Sequence, residues 1–417
     1  MSFSEWKEYK LEDVTINYNS KRVPLSSKER ELRQGKFPYY GAQGVIDFID
    51  KFIFEGQYLL VAEDGANLET RNEDIARLTK NQEQFWVNNH AHILRSNENS
   101  DIRYIKYFLN KSDLSGYITG SAQPKLNKAN LNSIRMVLPP FEEQKAIAHI
   151  LSTLDDKIEV NNQINRTLEN MAQTIFKQWF VDFEFPNEDG EPYKSSGGEM
   201  IESELGMIPK GWEVRTVDDI TAKFTTGLNP RKNFVLGNGN NFYVTIKNMG
   251  NQQVFLDDRC DKIDDQALVI INKRSDLRKG DVLFSGIGTI GRTYLIDTIP
   301  KNWNISESIF TLRAYDERVS LFLYQLLLSE SFQGYAKQLA SGSVQKGIRM
   351  GDMKIFKLAY SESVVINNYH KIMSSVIDKI KVLQRENIML SNLRETLLPK
   401  LMSEEIRVPL DEEGDVS

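Results

Sequence analysis

Apolar residues recur at spacings of three and four from Ile147 through Leu151, Leu154 and Ile158, and again from Leu168 through Ala172, Ile175 and Trp179. Asn161 and Asn165 occupy the same stripe between the two runs. This is the pattern of a long helix with one apolar seam and a polar centre. Pro139-Pro140 opens it, as prolines are tolerated in a first turn, and Glu142 and Glu143 follow where the helix dipole favours negative charge. No glycine and no further proline interrupts the chain before Pro186. Forty residues at ~1.5 Å each make a rod of roughly 60 Å, longer than an ordinary domain is wide, so the pattern predicts a second rod to cover it.

The second rod emerges when the chain is slid along itself by about 222 positions. Gly120-Ser121 then falls on Gly342-Ser343, Gln123 on Gln345, and Asp156-Lys157-Ile158 on Asp378-Lys379-Ile380. The seam carries over as Tyr369, Met373, Val376, Ile380, Leu383, Asn387, Leu390 and Leu397. The matching seams predict two antiparallel helices, pairing Leu151, Leu154, Ile158, Leu168 and Ile175 with Met373, Val376, Ile380, Leu383, Leu390 and Leu397.

The repeat extends to the rest of each half. Trp6 opens the first and Trp212 the second, with the same following aliphatic and acidic spacing through Val14 and Ile220. Short apolar runs bounded by glycine, Gly56 to Ala62 and Gly280 to Gly286, predict buried paired strands; Ala91 to Arg95 and Ile309 to Arg313 are strand-like as well. Helical stretches follow around Ile102 to Asn110 and Leu321 to Ser329. The expected fold class is α+β: two similar globular domains at 1–138 and 211–359, joined by two long antiparallel helices at 139–183 and 360–402 as a pseudo-twofold internal repeat. Residues 184–210, rich in Gly, Pro, Ser and acids, are expected to be a loop-like acidic linker with little to bury, and 403–417 an acidic tail.

The net charge of −6 counts against nucleic acid until its distribution is considered. Glu184 to Glu204 carries −6 and Glu404 to Ser417 carries −5, which leaves a folded body at +5. Cys260 is the only cysteine, so one chain cannot form a disulfide or a multi-thiolate metal site. Among the four histidines, His90 and His92 sit two apart in what reads as strand alternation, without a recognisable ligand spacing. No apolar run approaches the ~20 residues that cross a membrane, and Met1 to Lys10 lacks a signal-peptide core, so a cytoplasmic chain is expected.

Two motifs fail their context. Gly286-Ile287-Gly288-Thr289-Ile290-Gly291 matches a dinucleotide fingerprint, but Arg292 to Asp297 reads as a strand where that fingerprint needs a helix. Leu138-Pro139-Pro140-Phe141 places leucine where an amino-methyltransferase motif needs a polar residue to bond the target amino group. With no catalytic constellation in sight, the chain reads as a non-enzyme. The repeated small, polar and basic segments offer Ser121, Gln123 and Lys125 in the first half and Ser343, Gln345 and Lys346 in the second as groups able to reach bases or phosphates. They equally read as duplicated turns. Lys21-Arg22 and Arg231-Lys232 occupy similar early places in the two halves, and with Arg292 they complete the candidate DNA-contacting set.

Four features together resemble the specificity subunit of type I restriction-modification systems over essentially the whole chain. They are the P-P-x-x-E-Q helix start, the duplicated domain-plus-helix, the hairpin from Gly280-Asp281-Val282-Leu283-Phe284 to Gly291-Arg292, and the ending Leu397-Leu398-Pro399-Lys400-Leu401-Met402. The first half departs from the hairpin pattern, with Ala62-Glu63-Asp64-Gly65-Ala66-Asn67 in its place. The resemblance implies two target recognition domains reading a bipartite double-stranded DNA target, with helices that set the unread gap. It also implies two methyltransferase (modification) subunits carrying S-adenosylmethionine, endonuclease/translocase (restriction) subunits for cleavage, and no cofactor in this chain. A coiled-coil protein scaffold without DNA specificity is the competing expectation.

Overall fold

The computed structural model describes residues 5–120, 123–250, 252–340, 347–362 and 364–408. The chain divides into two compact units, Met1–Val160 with Glu386–Ser417 and Asn161–Arg385, so the boundary cuts both long helices rather than separating them from the domains.

Unit 1 runs from β1 (Lys7–Lys10) through α1 (Leu11–Val14), β2 (Thr15–Asn17), α2 (Ser27–Glu31), β3 (Gln34–Gly41), β4 (Gly44–Ile49) and β5 (Phe54–Glu55). It continues with β6 (Leu59–Ala62), α3 (Asn67–Thr70), β7 (Ala76–Leu78), β8 (Gln84–Val87), β9 (Ala91–Ser96), α4 (Ile102–Lys111), α5 (Lys128–Asn132) and β10 (Arg135–Leu138), and reaches the start of α6 (Phe141–Phe180). An inner antiparallel sheet has the order β2-β9-β6-β7, and a second sheet the order β4-β3-β8-β5 with β3 and β8 parallel. All of Leu59 to Ala62 is buried, which is why β6 reads as an unbroken apolar run rather than an alternating one. The unit's main core joins Leu59, Val61, Leu94 and Ile105 to Ile147 and Leu151 of α6.

Unit 2 holds the rest of α6, then β11 (Met200–Ser203), β12 (Gly206–Pro209), β13 (Glu213–Thr216), β14 (Thr221–Thr226), α7 (Pro230–Asn233), β15 (Asn241–Val244), β16 (Met249–Gly250) and β17 (Gln253–Val254). After these come β18 (Asp261–Ile263), α8 (Asp265–Ser275), β19 (Val282–Ser285), β20 (Thr293–Leu295), β21 (Trp303–Ile305), β22 (Ile309–Ala314), α9 (Glu317–Leu328), α10 (Glu330–Leu339), α11 (Met350–Lys354) and β23 (Lys357–Tyr360). The last helix, α12 (Val364–Leu401), starts here and ends in unit 1. The inner sheet is β14-β22-β19-β20 and the second sheet β18-β15-β21, its central strand again antiparallel to one neighbour and parallel to the other. The first half's plan is thus repeated. α4 and α9 start alike: Asp101 and Asp316 cap them, and each cap holds the arginine two residues on, Arg103 or Arg318.

The helices run antiparallel. Within unit 1, Glu143 meets Arg407 and Lys157 meets Glu386; within unit 2, Glu169 faces Lys381 and Trp179 lies 5.8 Å from Tyr369. Of the predicted pairing positions, Leu151, Met373, Ile380 and Leu383 are buried. Leu154, Ile158, Leu168, Ile175, Val376, Leu390 and Leu397 are half-buried. Phe176, Trp179, Phe180 and Tyr369 bury more deeply than Leu154, Leu168 and Leu390, because they pack in a domain core as well as along the seam.

Residues 184–210 differ from the loop expected of them. They form the β11–β12 hairpin and bury Phe185 and Ile208. Phe185 stacks on Trp212 at 5.2 Å and on Tyr193 at 4.6 Å. The acidic, glycine-rich composition hid two aromatic anchors, Phe185 and Tyr193, the first of which stacks on Trp212 just beyond it.

Candidate nucleic-acid interface

The helix-opening motif acts as a structural lock. Gln144 is buried; its amide donates to Asn99 O at 3.1 Å and Pro139 O at 2.9 Å, and its Oε1 accepts from Asp101 N at 3.1 Å. Glu143, also buried, takes the Arg407 guanidinium through two bonds of 2.6 and 2.8 Å. The second copy has Val365 and Ile366 at these places, both buried. At this first turn one half therefore uses polar side chains and the other apolar ones.

In unit 1 the predicted contacts split. Lys21 is exposed, with its ammonium 5.2 Å from the Tyr18 ring. Arg22 is not the exposed cation expected of it but is half-buried. Its guanidinium bonds Glu63 at 2.7 Å and the carbonyl of Ala91 at 2.8 Å, which ties the loop after β2 to the central strands. Glu63 gathers two cations, Arg22 and, at 3.5 Å, Lys125 Nζ, and has the His92 ring beside it at 3.7 Å. Burial pushes this carboxyl up, but its partners, Arg22 foremost, outweigh it and hold it below the usual range.

His92 is fully buried, and both ring nitrogens are used. Nε2 donates to Leu126 O at 2.6 Å, so Nδ1 accepts from Asn19 Nδ2 at 2.7 Å. That is the neutral tautomer, in keeping with burial pushing its pKa down. His90 instead bonds Asp64 at 2.7 Å. Among the described residues no group of His, Cys, Asp and Glu could hold a metal ion.

Ser121 lies outside the described residues, as do Ser343, Gln345 and Lys346. Gln123 is exposed, and the Lys125 side chain is 51% exposed while leaning on Glu63. The flanks show why the segment is repeated. Gly65 N donates to Pro124 O and Leu126 N to Glu63 O in unit 1; Ile348 N donates to Gly286 O in unit 2. Each segment is laced to the end of its central strand, β6 or β19.

In unit 2, Arg231 and Lys232 are exposed on α7. Arg231 also lines a cleft of about 350 Å³ with Tyr243, Lys247 and Glu307. Arg292 is a second correction. Its Nη1 donates to Ile246 O at 2.7 Å and to Met249 O, clamping the chain that follows β15. The glycine-rich run ahead of it is the β19–β20 hairpin turn, with Gly288 and Gly291 at positive φ and a strand, not a helix, after it. A side chain at Gly286 would strike the Phe310 ring at 2.3 Å.

Sequence reasoning missed the second sheets. Val45, Ile46 and Phe48 stand exposed on β4, and Val269 and Ile270 on α8. Patterning rules treat such positions as inward-facing, which is why they gave no signal.

Comparison with known proteins matches the chain to the family described as the type I restriction modification DNA specificity domain, once over residues 3–170 and again over 209–390. The chain is similar to the type I restriction enzyme HindI specificity subunit of Haemophilus influenzae, 24% identical over 97% of this chain and 100% of that protein. It is also similar to the type I restriction enzyme MjaIX specificity subunit of Methanocaldococcus jannaschii, 26% identical over 73% of this chain and 69% of the relative. In fold it resembles the crystal structure of a type I restriction-modification system S subunit from M. genitalium, with TM-score 0.58 and 16% identity over 96% of each chain.

Proposed function

The chain belongs to the family of type I restriction-modification DNA specificity proteins, and from that premise we propose that each of its two units reads one half of a bipartite DNA target. The observation that carries this reading is the duplication itself. Two units of the same plan each leave cations exposed, Lys21 and Lys125 in one and Arg231 and Lys232 in the other, on a chain whose acids are concentrated in 184–204 and 404–417. The competing scaffold without DNA specificity finds no support in the family match.

The chemistry is assigned to partners. Specificity resides in this chain, while methyltransferase subunits bind S-adenosylmethionine and flip the target base, and restriction subunits join for cleavage. Two methyltransferase subunits are inferred from the helices. Unit 1 exposes Val160 of α6 and Leu393 of α12; unit 2 exposes Val382 of α12 and Met171 of α6. These pairs are equivalent under the 222-residue offset, so the same two exposed apolar positions recur in each unit, as one partner docking twice would use.

The test is selection of duplexes from a random pool by the full chain with its modification subunits. A two-part motif with an unread gap is expected. A single continuous motif, or no motif, overturns the proposal.

A further inference from the structure

The two repeats share their inner sheets strand for strand and diverge around the second sheet. A tight turn at Ala42-Gln43 joins β3 to β4 in unit 1, whereas residues 245–260 separate β15 from β18 in unit 2. After β18 comes α8; after β4 the chain goes directly to β5. Domains that descend from one ancestor and read different half-sites must differ where they touch bases.

Both β4 and α8 have the right surface. β4 is an edge strand whose Val45, Ile46 and Phe48 face solvent, and Phe48 is 51% exposed. Exposed apolar edges invite aggregation and are retained where something binds them. Beside them, Lys36 is exposed over the Phe37 ring. Helix α8 buries only Ala267, Ile271 and Ser275, a single stripe, and leaves Gln266, Val269, Ile270, Lys273 and Arg274 outward. Amide, apolar and cationic groups on one face are the set that reads base edges, thymine methyls and phosphates.

Charge identifies the occupant as DNA rather than protein. Arg22, Arg30 and Arg33 pair with carboxylates, but Lys21, Lys28 and Lys36 stay exposed beside the ribbon, as do Lys273, Arg274 and Lys279 on and just after α8. A two-stranded ribbon and a helix are also the two elements the major groove of B-DNA admits.

We propose that the bases are read by the elements that differ around the second sheet of each unit: the β3–β4 ribbon in unit 1 and helix α8, which bonds β21 through Asn272 and Ser275, in unit 2. Two copies of one domain then read DNA with different secondary structures. The proposal rests on the bipartite reading above and names its contacts.

The experiment uses the full chain with its modification subunits and the same random-duplex selection, on two double variants. Phe48→Ser with Lys36→Ala is expected to lower discrimination at one half-site by about tenfold, and Gln266→Ala with Arg274→Ala to do so at the other half-site only. The untouched half-site shows in each case that the protein is folded. Unchanged motifs in both variants, or both half-sites relaxed together, overturn the proposal while the bipartite reading stands. Unchanged motifs with loss of a partner subunit on gel filtration make these elements protein-docking surfaces and overturn it as well. If wild type selects no two-part motif, the underlying reading has failed first.

Discussion

Asp155 is held in unit 1 by three donors: Lys106 Nζ at 2.9 Å, the Tyr107 hydroxyl at 2.6 Å and Arg394 Nη1 at 2.7 Å. They line a cleft of about 830 Å³ with Arg103 and Asp156. The repeat supplies the apolar version of the same junction. At the 222-residue offset, Asp155 becomes Ile377 and Arg394 becomes Ala172, and aligning the helix caps Asp101 and Asp316 turns Lys106 into Leu321 and Tyr107 into Phe322. All four counterparts are buried in the unit 2 core, where Phe322 packs on Phe180 at 4.7 Å. Asp155→Ala removes three charge-assisted bonds, and such bonds are worth ~1.5–3 kcal/mol each. Asp155 is 21% exposed and Arg394 31%, so water takes over part of the loss and a net cost of about 2–3 kcal/mol is expected. Replacing the whole set by its counterparts (Asp155→Ile, Lys106→Leu, Tyr107→Phe, Arg394→Ala) should recover that loss, because a part-buried ionic network and a packed apolar one are close in free energy. Burial pushes the Asp155 carboxyl up, but Lys106, Tyr107 and Arg394 prevail and hold it below its ordinary value. The stabilisation is therefore complete above the unfolded carboxylate pKa of ~3.9 and fades as pH falls through the lower native value. Urea unfolding combined with hydrogen exchange at the α4 amides reads unit 1 separately. Wild-type stability in Asp155→Ala, or a fourfold variant weaker than the single one, would refute the reasoning.

Ile380→Asp places a charge at a position 3% exposed within the unit 2 core and is expected to cost ~4 kcal/mol, against which an unchanged Tm would count decisively. Burial pushes the Lys381 ammonium down to about 8, against the attraction of Asp297. Because the unfolded chain then binds more protons between pH 8 and ~10.4, stability should rise from pH 8 toward 10; Lys381→Met should remove that slope and add on the order of 2–3 kcal/mol at pH 7, as Tm measured across pH will show. DNA affinity should fall steeply with salt, and Lys232→Ala should reduce the log–log slope by ~1 while leaving the selected motif unchanged. A slope equal to wild type would remove Lys232 from the phosphate contacts.

Long-period features were legible in the sequence. The 222-residue offset and the three-four spacing located both helices to within a few residues, since a helix seam repeats often enough to stand out from composition. The strands β6 and β19 were legible because burial on both faces forces a continuous apolar run. What stayed hidden depends on partners distant in sequence. Arg22 and Arg292 look like free cations until Glu63 and the carbonyls of Ala91, Ile246 and Met249 are brought beside them. The aromatic packing of 184–210 was masked in the same way, because Phe185 and Tyr193 have meaning only beside Trp212.

The way each unit closes shows what the duplication preserved. In unit 2, Phe185, which follows α6, covers Trp212; in unit 1, Arg407, which follows α12, lies over Trp6 and reaches on to Glu143. Phe185 and Arg407 are separated by the same 222 residues that relate the helices, yet one is aromatic and the other cationic. At Glu143 and Gln144 against Val365 and Ile366, and at Asp155 against Ile377, the contrast is the same: polar in the first copy, apolar in the second. Geometry was thus retained while the chemistry of each junction changed as a matched set. A lone exchange at such a site leaves a buried group without a partner, whereas a joint exchange does not. At these positions the two domains therefore meet equivalent stretches of helix through contacts of different chemistry, ionic in unit 1 and apolar in unit 2.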